Sequence, residues 1–219
     1  MIEAKHSWWA RTIFTRYIDK LLKKHFTNFY LANNLPEIPN EFSVIVTPNH
    51  ISWWDGFLID IVNRNCIKKT FHIMMLEEQL ERYWFFNHLG AYSIHPENSK
   101  SIIETAKYTR RILESSQSLV TIYPQGKIES FDSHKLDIKE GLKVFIGKSL
   151  QKVKVLPIGF KIHYYEEKLP AIVTRFGELI DAQNVVEDFE YYRQIFIKNI
   201  NQLSTHALKK EFQSDIFKN

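Results

Sequence analysis

The first part of the chain carries an apolar stripe with helical spacing. Two neighbouring rows of apolar residues recur every four positions, on Trp9, Ile13, Tyr17 and Leu21 and on Phe14, Ile18, Leu22 and Phe26. Lysine and arginine occupy other positions of the same segment, so the pattern predicts an amphipathic helix over residues 8–31. The residues Asn33, Asn34 and Pro36 follow and are typical of a break after the helix.

Two interpretations of this basic, aromatic helix stay open. It either packs against the core of its own domain or lies in a membrane interface, where aromatic residues beside Lys and Arg are typical. Both hold if only part of the stripe faces lipid. We therefore distinguish an N-terminal helical arm, residues 1–35, from a domain that spans residues 36–219.

From residue 42 onward, short β-branched runs alternate with segments of helical period. Strands are predicted over residues 42–47, 70–75, 90–94, 119–123, 153–160 and 171–176. Helices are predicted from a cap at Ser52 through residue 61, and over residues 77–88, 101–115, 141–150 and 188–209. This alternation predicts an α/β fold with a mostly parallel central sheet flanked by helices. In such sheets, ligands bind beyond the carboxyl ends of the strands.

The composition excludes several classes of protein. The 219 residues are 44% hydrophobic and 25% charged, as in a globular protein rather than a disordered one. The single cysteine, Cys66, excludes a disulfide framework and is expected to be a buried packing residue. A net charge of +4 without a basic block gives no reason to expect a nucleic-acid partner. The lack of a secretory signal or a long apolar run predicts a cytoplasmic location, peripheral on the inner face of the membrane.

The candidate chemistry follows the first predicted strand, in the run Asn-His-Ile-Ser-Trp-Trp-Asp-Gly at residues 49–56. If His50 lies in the turn and Asp55 in the first helical turn, the carboxylate can reach one imidazole nitrogen. That contact would fix the tautomer and leave the other nitrogen free as a general base. On spacing alone, a catalytic pair, a structural pair and two metal ligands all stay open, although no further cluster completes a metal site.

This run resembles the first motif of the glycerolipid acyltransferase family, the PlsC-like lysophospholipid acyltransferases. That motif is Asn-His followed by four residues and Asp, the His-x4-Asp motif. The later blocks of the family have counterparts here in the same order, at Gly90–His95, Tyr123–Lys127, Lys139–Gly141 and Val155–Gly159. The resemblance spans roughly residues 42–160, which is most of the predicted domain.

The resemblance implies a glycerol-3-phosphate acyltransferase-like fold and an O-acyltransferase activity. A fatty acyl group would pass from a thioester of coenzyme A or acyl carrier protein to a lipid hydroxyl. His50 would remove the proton of that hydroxyl, and Asp55 would hold and polarise His50. Backbone N–H groups near the third motif or at a helix start would bind the oxyanion. Neither a metal nor a cofactor is implied, because the thioester is a co-substrate.

Substrate binding is assigned to five further positions, Asn49, His95, Gln125, Gly126 and Lys127. The chain departs from the family pattern here. Gln125 replaces a Glu, Lys127 and Ile128 stand at a Thr-Arg pair, and His95-Pro96 stands where Asp-Arg is common. Two arginines that would bind a phosphate bidentately are therefore missing. Two classes of acceptor stay open: 1-acyl-glycerol-3-phosphate, or a lipid without that phosphate such as a glycolipid or glycosylated terpenoid.

A second hypothesis is a non-catalytic, membrane- or lipid-binding protein on the same fold. The altered third motif favours it. The presence of Asn49, His50 and Asp55 argues against it, because a binding protein does not need a base and its orienting carboxylate. The enzyme is therefore the principal hypothesis.

Overall fold

The computed structural model of the protein describes residues 1–132, 136–147 and 151–218. Helices and strands alternate through this part of the chain. The strands are β1 (Phe29–Leu31), β2 (Ser43–Pro48), β3 (Thr70–Leu76), β4 (Ala91–Ile94), β5 (Ser118–Thr121), β6 (Val153–His163), β7 (Ala171–Phe176), β8 (Ile180–Asp181) and β9 (Ser214–Asp215). The α-helices are α1 (Trp8–His25), α2 (Asp55–Val62), α3 (Glu77–Arg82), α4 (Ser99–Leu113), α5 (Leu142–Ile146), α6 (Ala182–Glu187) and α7 (Phe189–Lys209).

The strands form one sheet in the order β4-β3-β5-β2-β6-β7-β1-β9, and β8 pairs with β6 beside this path. The neighbours from β4 to β6 are parallel, whereas β7 is antiparallel to β6. Strand β2 lies between β5 and β6, with Val46 beside Thr121 and Leu156. The predicted α/β fold with a mostly parallel central sheet is confirmed.

Strand β2 is buried on both faces along its whole length. Its residues Val44 and Val46 join the core beneath α1 and α2, whereas Ile45 joins the core beneath α4, α5, α6 and α7. Alternate residues of a strand point to opposite faces, so a run of β-branched residues suits a strand covered on both sides. The segment that follows β2 therefore begins at a strand whose position is fixed by packing on both faces.

The helix predicted over residues 8–31 is shorter in the structure. Helix α1 ends at His25, and residues 29–31 form strand β1. Strand β1 pairs in parallel with β7, where Tyr30 lies beside Val173. The aromatic residues of this segment are compatible with a strand as well as with a helix. The segment forms a strand because it pairs with β7, which lies more than a hundred residues later in the chain.

Other differences are local. The segment predicted as one helix from residue 77 to residue 88 divides into α3 and a 3₁₀ helix, Trp84–His88. Ser52 precedes the start of α2 by three residues and does not cap it as predicted. Of the helix predicted over residues 141–150, α5 forms Leu142–Ile146, and residues 148–150 lie outside the described residues. The short elements α6, β8 and β9 were not predicted.

Helix α1 is attached to α2 by packing and by charge. Four of its apolar residues are buried, Ala10, Phe14, Ile18 and Leu22. Arg11 and Arg64 both contact the buried carboxylate of Asp60, Arg64 through its Nε at 2.9 Å. Arg64 also pairs with Asp19 of α1 at 2.6 Å. The prediction of a separate arm over residues 1–35 is not tested by these contacts and stays a prediction.

We expect Asp60→Ala to lower the free energy of unfolding by about 3 kcal/mol, because it leaves two guanidinium groups without their shared partner. The Asp60 side chain is only 3% exposed, so water replaces the lost contact poorly. Urea denaturation measures the change. The exposed pair of Arg111 and Glu3 gives the control, since Glu3→Ala should cost less than about 1 kcal/mol. Equal effects of the two substitutions would contradict the prediction.

None of the helices in the described part of the chain combines the length and the apolar character needed to span a membrane.

Candidate active site

His50 and Asp55 meet at the carboxyl end of β2. His50 lies in the turn that follows the strand, and Asp55 is the first residue of α2. His50 Nδ1 lies 2.8 Å from Asp55 Oδ2. Because a carboxylate only accepts hydrogen bonds, Nδ1 carries the proton and donates it. Within the described residues, no side chain or backbone group bonds Nε2, which leaves the lone pair of that nitrogen free.

The Asp55 carboxylate is held by four donors. Its Oδ2 also accepts the backbone N–H groups of Ile51 at 2.7 Å and Ser52 at 3.0 Å. Its Oδ1 accepts the Ser52 hydroxyl at 2.7 Å. Asp55 is only 1% exposed, so these donors replace the water that a carboxylate otherwise binds. The arrangement fixes the carboxylate and, through it, the imidazole of His50.

Asn49 connects the same turn to β6. Its side-chain Nδ2 donates to the Phe160 carbonyl at 2.9 Å, and its Oδ1 accepts the Phe160 N–H at 2.7 Å. Strand β6 extends beyond the end of β2, so these two bonds replace strand pairing where β2 stops. The contacts of Asn49 position the residue before His50. Its assignment to substrate binding stays a prediction.

Gln125 holds the other side of the turn. Its buried Oε1 accepts the His50 backbone N–H at 2.7 Å, and its Nε2 donates to Glu129 Oε2 at 2.9 Å. Glu129 in turn donates its backbone N–H to the His50 carbonyl at 2.9 Å. The segment after β5 is thus attached to His50 through both backbone groups of that residue.

Tyr123 forms one wall beside the imidazole. The rings of His50 and Tyr123 stack with centroids 4.3 Å apart and an angle of 25° between their planes. Burial raises the pKa of the Tyr123 hydroxyl well above its usual value, and the nearby charge of Asp55 raises it further. The hydroxyl is therefore neutral, and it has no hydrogen-bond partner among the described residues.

The remaining predicted residues lie at different distances from His50. Gly126 is in the turn directly after Gln125, with a φ of 70° that favours glycine. Lys127 is exposed, and its Nζ lies 3.2 Å from Glu129 Oε1. His95 follows β4, three strands from β2 at the same edge of the sheet. At about 4.8 Å per strand, this separation is on the order of 14 Å.

Three residues around the site are not assigned to it by the sequence. They are Ser52, Tyr123 and Glu129. Ser52 was interpreted as a helix cap, although its position three residues before Asp55 is compatible with the bond to that carboxylate. Tyr123 lies within a motif, but motif position alone does not indicate stacking. The spacing of four residues between Gln125 and Glu129 was the only available signal for their contact.

Across residues 1–132, 136–147 and 151–218, no three His, Cys, Asp or Glu side chains come together as metal ligands would.

The chain is similar to known proteins in sequence and in fold. The family model described as Acyltransferase matches residues 28–161, which is more than half of the chain. Among solved structures, the chain is similar to the 1-acyl-sn-glycerophosphate (LPA) acyltransferase PlsC from Thermotoga maritima. The two are 16% identical with a TM-score of 0.60, over 91% of this chain and 81% of the other. No curated protein matches this chain.

The matched residues contain β2, the His50 turn and α2, together with the segment after β5 that holds Gln125. The family predicted from the motifs is therefore confirmed, and so is the PlsC-like fold. The chain belongs to the acyltransferase family and is an acyltransferase enzyme.

Proposed function

We propose that the enzyme transfers a fatty acyl group from a thioester to the hydroxyl of a lipid, with His50 as the general base. The observation that carries the proposal is the free Nε2 of His50, whose Nδ1 is bonded to a buried carboxylate. A base fixed in this way accepts the proton of a hydroxyl as that hydroxyl attacks. The name of the Thermotoga maritima relative, a lysophosphatidate acyltransferase, supports a lipid acceptor.

The transfer is written as two steps. His50 Nε2 takes the proton while the acceptor oxygen bonds to the thioester carbonyl, and Asp55 stabilises the resulting imidazolium. The tetrahedral intermediate then expels the thiolate, which takes the proton from His50 as the C–S bond breaks. The products are an ester and a free thiol. We assign the oxyanion to backbone N–H groups of the turn that follows Gln125, because this turn is joined to His50 through Gln125. The N–H of Gly126 is excluded, since it donates to the Tyr123 carbonyl at 3.1 Å.

The donor is proposed to be acyl-CoA or acyl carrier protein, and free thiol is therefore the direct readout. Both donors are tested with lysophosphatidate, another lysophospholipid, a monoacyl glycolipid and no acceptor. We expect thiol release to depend on an acceptor. Binding to lipid vesicles without thiol release from any combination would contradict the proposal and support a non-catalytic lipid-binding protein.

The enzyme is also proposed to act at a membrane surface. Five side chains are each more than half exposed: Trp8, Ile13, Tyr17, Trp53 and Trp84. We propose that they form one membrane-facing surface, here called the aromatic face. Ring contacts connect Trp84 with Trp53 through Phe85, Phe14 and Phe57. Trp53 lies between His50 and Asp55 in sequence, so the connected aromatic rings include a residue of the turn that carries the proposed catalytic pair.

Charge on α1 supports the same proposal. The helix carries basic residues at Arg16, Lys20, Lys23 and Lys24. Exposed aromatic residues next to basic ones favour the interface of an anionic membrane. A peripheral position on the inner face of the cell membrane remains the proposed location.

Removal of two side chains of the aromatic face is expected to weaken membrane binding. The double substitution Ile13→Ser and Tyr17→Ser should lower the partition coefficient onto anionic vesicles by about tenfold, because both side chains lose apolar contact with lipid. Vesicle sedimentation measures the change. Leu208→Ser is the control, because Leu208 is as exposed but lies on α7, which covers the opposite face of the sheet. Equal losses would contradict the proposed orientation.

A further inference from the structure

Glu129 places a fixed negative charge beside the His50 turn. Its backbone N–H donates to His50, and its side-chain Oε2 accepts from Gln125. The Glu129 side chain is only 14% exposed, which limits its movement. The hydrogen bond from Gln125, together with the nearby Lys127, holds the pKa of the Glu129 carboxyl below its usual value. The residue is therefore charged at neutral pH.

The carboxylate of Glu129 neutralises the charge of the neighbouring Lys127. Lys127 Nζ is 3.2 Å from Glu129 Oε1, so the segment after β5 carries no net positive charge between these two residues. The side chain of Ile128, exposed between them, adds no donor. A phosphate held at this segment would have to compete with Glu129 for Lys127 and approach a like charge.

Lys139 is another cation beside the segment after β5. The Lys139 side chain lies against Gly126, with Nζ 3.7 Å from the position that a Cβ on Gly126 would take. A single ammonium group is a point charge and does not bind a phosphate bidentately. Glu77, which follows β3 at the same edge, is paired with the N-terminal ammonium group at 3.4 Å, so that ammonium group adds no free cation. A hydrogen bond from Ser93 and this ammonium group lower the pKa of Glu77.

We infer, on the basis of the proposed function, that Glu129 selects lipid acceptors whose headgroup bears hydroxyls and no phosphate next to the reacting hydroxyl. A carboxylate accepts hydrogen bonds from glycerol or sugar hydroxyls and repels a phosphate monoester. The hydrogen bond from Gln125 to Glu129 fixes the position of the Glu129 carboxylate. Glu129 is thus a specificity-determining residue, and the acceptor class is a neutral, hydroxylated lipid.

The test uses two acceptors that differ only in the phosphate, a monoacylglycerol and the lysophosphatidate with the same acyl chain. With one donor, kcat/KM is measured for each, and a monoacyl glycolipid is added as a second neutral acceptor. We expect the wild-type enzyme to prefer a neutral acceptor by at least about tenfold. Glu129→Gln should raise kcat/KM for lysophosphatidate relative to kcat/KM for monoacylglycerol by about tenfold. The substitution removes one negative charge that would otherwise repel the phosphate at close range.

Glu166→Gln is the control, because Glu166 also pairs with a lysine, Lys210, but lies outside the motif blocks and the segment after β5. It should leave the ratio of the two acceptors unchanged. Preference of the wild-type enzyme for lysophosphatidate overturns the inference and leaves the proposed function standing, and this comparison needs no variant to fold. An unchanged ratio in a folded Glu129→Gln variant also overturns it. No transfer to any of the acceptors overturns the proposed function and the inference together.

Discussion

His50→Gln is expected to reduce acyl transfer by about a thousandfold without unfolding the enzyme. Glutamine can still form hydrogen bonds, but it cannot accept a proton from a hydroxyl at neutral pH, so the general base is lost. The imidazole is partly exposed, with its side-chain contacts concentrated on Asp55 and Tyr123, so the loss of packing is small. Acceptor-dependent thiol release measures the rate, and the melting temperature shows whether the fold is kept.

The matched control is His206→Gln. His206 is also half-buried, but it lies on α7 and bonds the Gln202 carbonyl of its own helix. This variant should keep the wild-type rate within about twofold. If a folded His50→Gln enzyme transferred the acyl group at more than a tenth of the wild-type rate, His50 would not be the base.

Asp55→Asn is expected to lower kcat by a hundredfold to about a thousandfold. The carboxylate of Asp55 accepts four hydrogen bonds, from His50, Ser52 and the backbone of Ile51 and Ser52. An asparagine at this position turns an NH2 group toward one or more of these four donors. At least one of the four hydrogen bonds is therefore lost. The imidazole then loses its tautomer, its orientation and the negative charge that stabilises its protonated form.

The effect should appear in kcat, because the KM for the donor does not depend on the orientation of His50. Asp188→Asn provides the comparison, since Asp188 also stands at a helix start and accepts the Tyr191 N–H, but on α7. That substitution should alter stability by about 1 kcal/mol or less and leave kcat unchanged. An Asp55→Asn enzyme with a raised KM and an unaltered kcat would contradict the orienting role.

Elements with a long or uniform pattern were predictable from the sequence. The last helix was predicted over residues 188–209, and α7 spans Phe189–Lys209. A helix of this length repeats its apolar period several times, which leaves little ambiguity. Strand β2 was equally clear, because a β-branched run buried on both faces has few alternatives.

Strand β1 shows what could not be predicted. Phe26 continues the apolar row of α1, so the local pattern extends the helix into residues that form a strand. The choice depends on hydrogen bonds to β7, and no local window of sequence contains that partner. The two-residue strands β8 and β9 are similar, because distant pairing and not their own composition defines them.

In the candidate site too, some contacts were predictable from the sequence and others were not. The contact between His50 and Asp55 was predictable because only four residues of the turn separate them. The contacts of Gln125 with His50 and with Glu129 depend on how the segment after β5 returns across the end of β2. Spacing along the chain does not encode that return, so the position of Glu129 against His50 and Gln125 is visible only in the folded structure.

The bonds that Asp55 accepts from the backbone have a consequence for hydrogen exchange. Ile51 and Ser52 lie in a loop, where amide protons usually exchange quickly with solvent, yet both protons are donated to one buried carboxylate oxygen. Their protection factors therefore report the position of that oxygen. Deuterium uptake at these two amides can therefore follow the position of the Asp55 carboxylate in the enzyme without any added substrate.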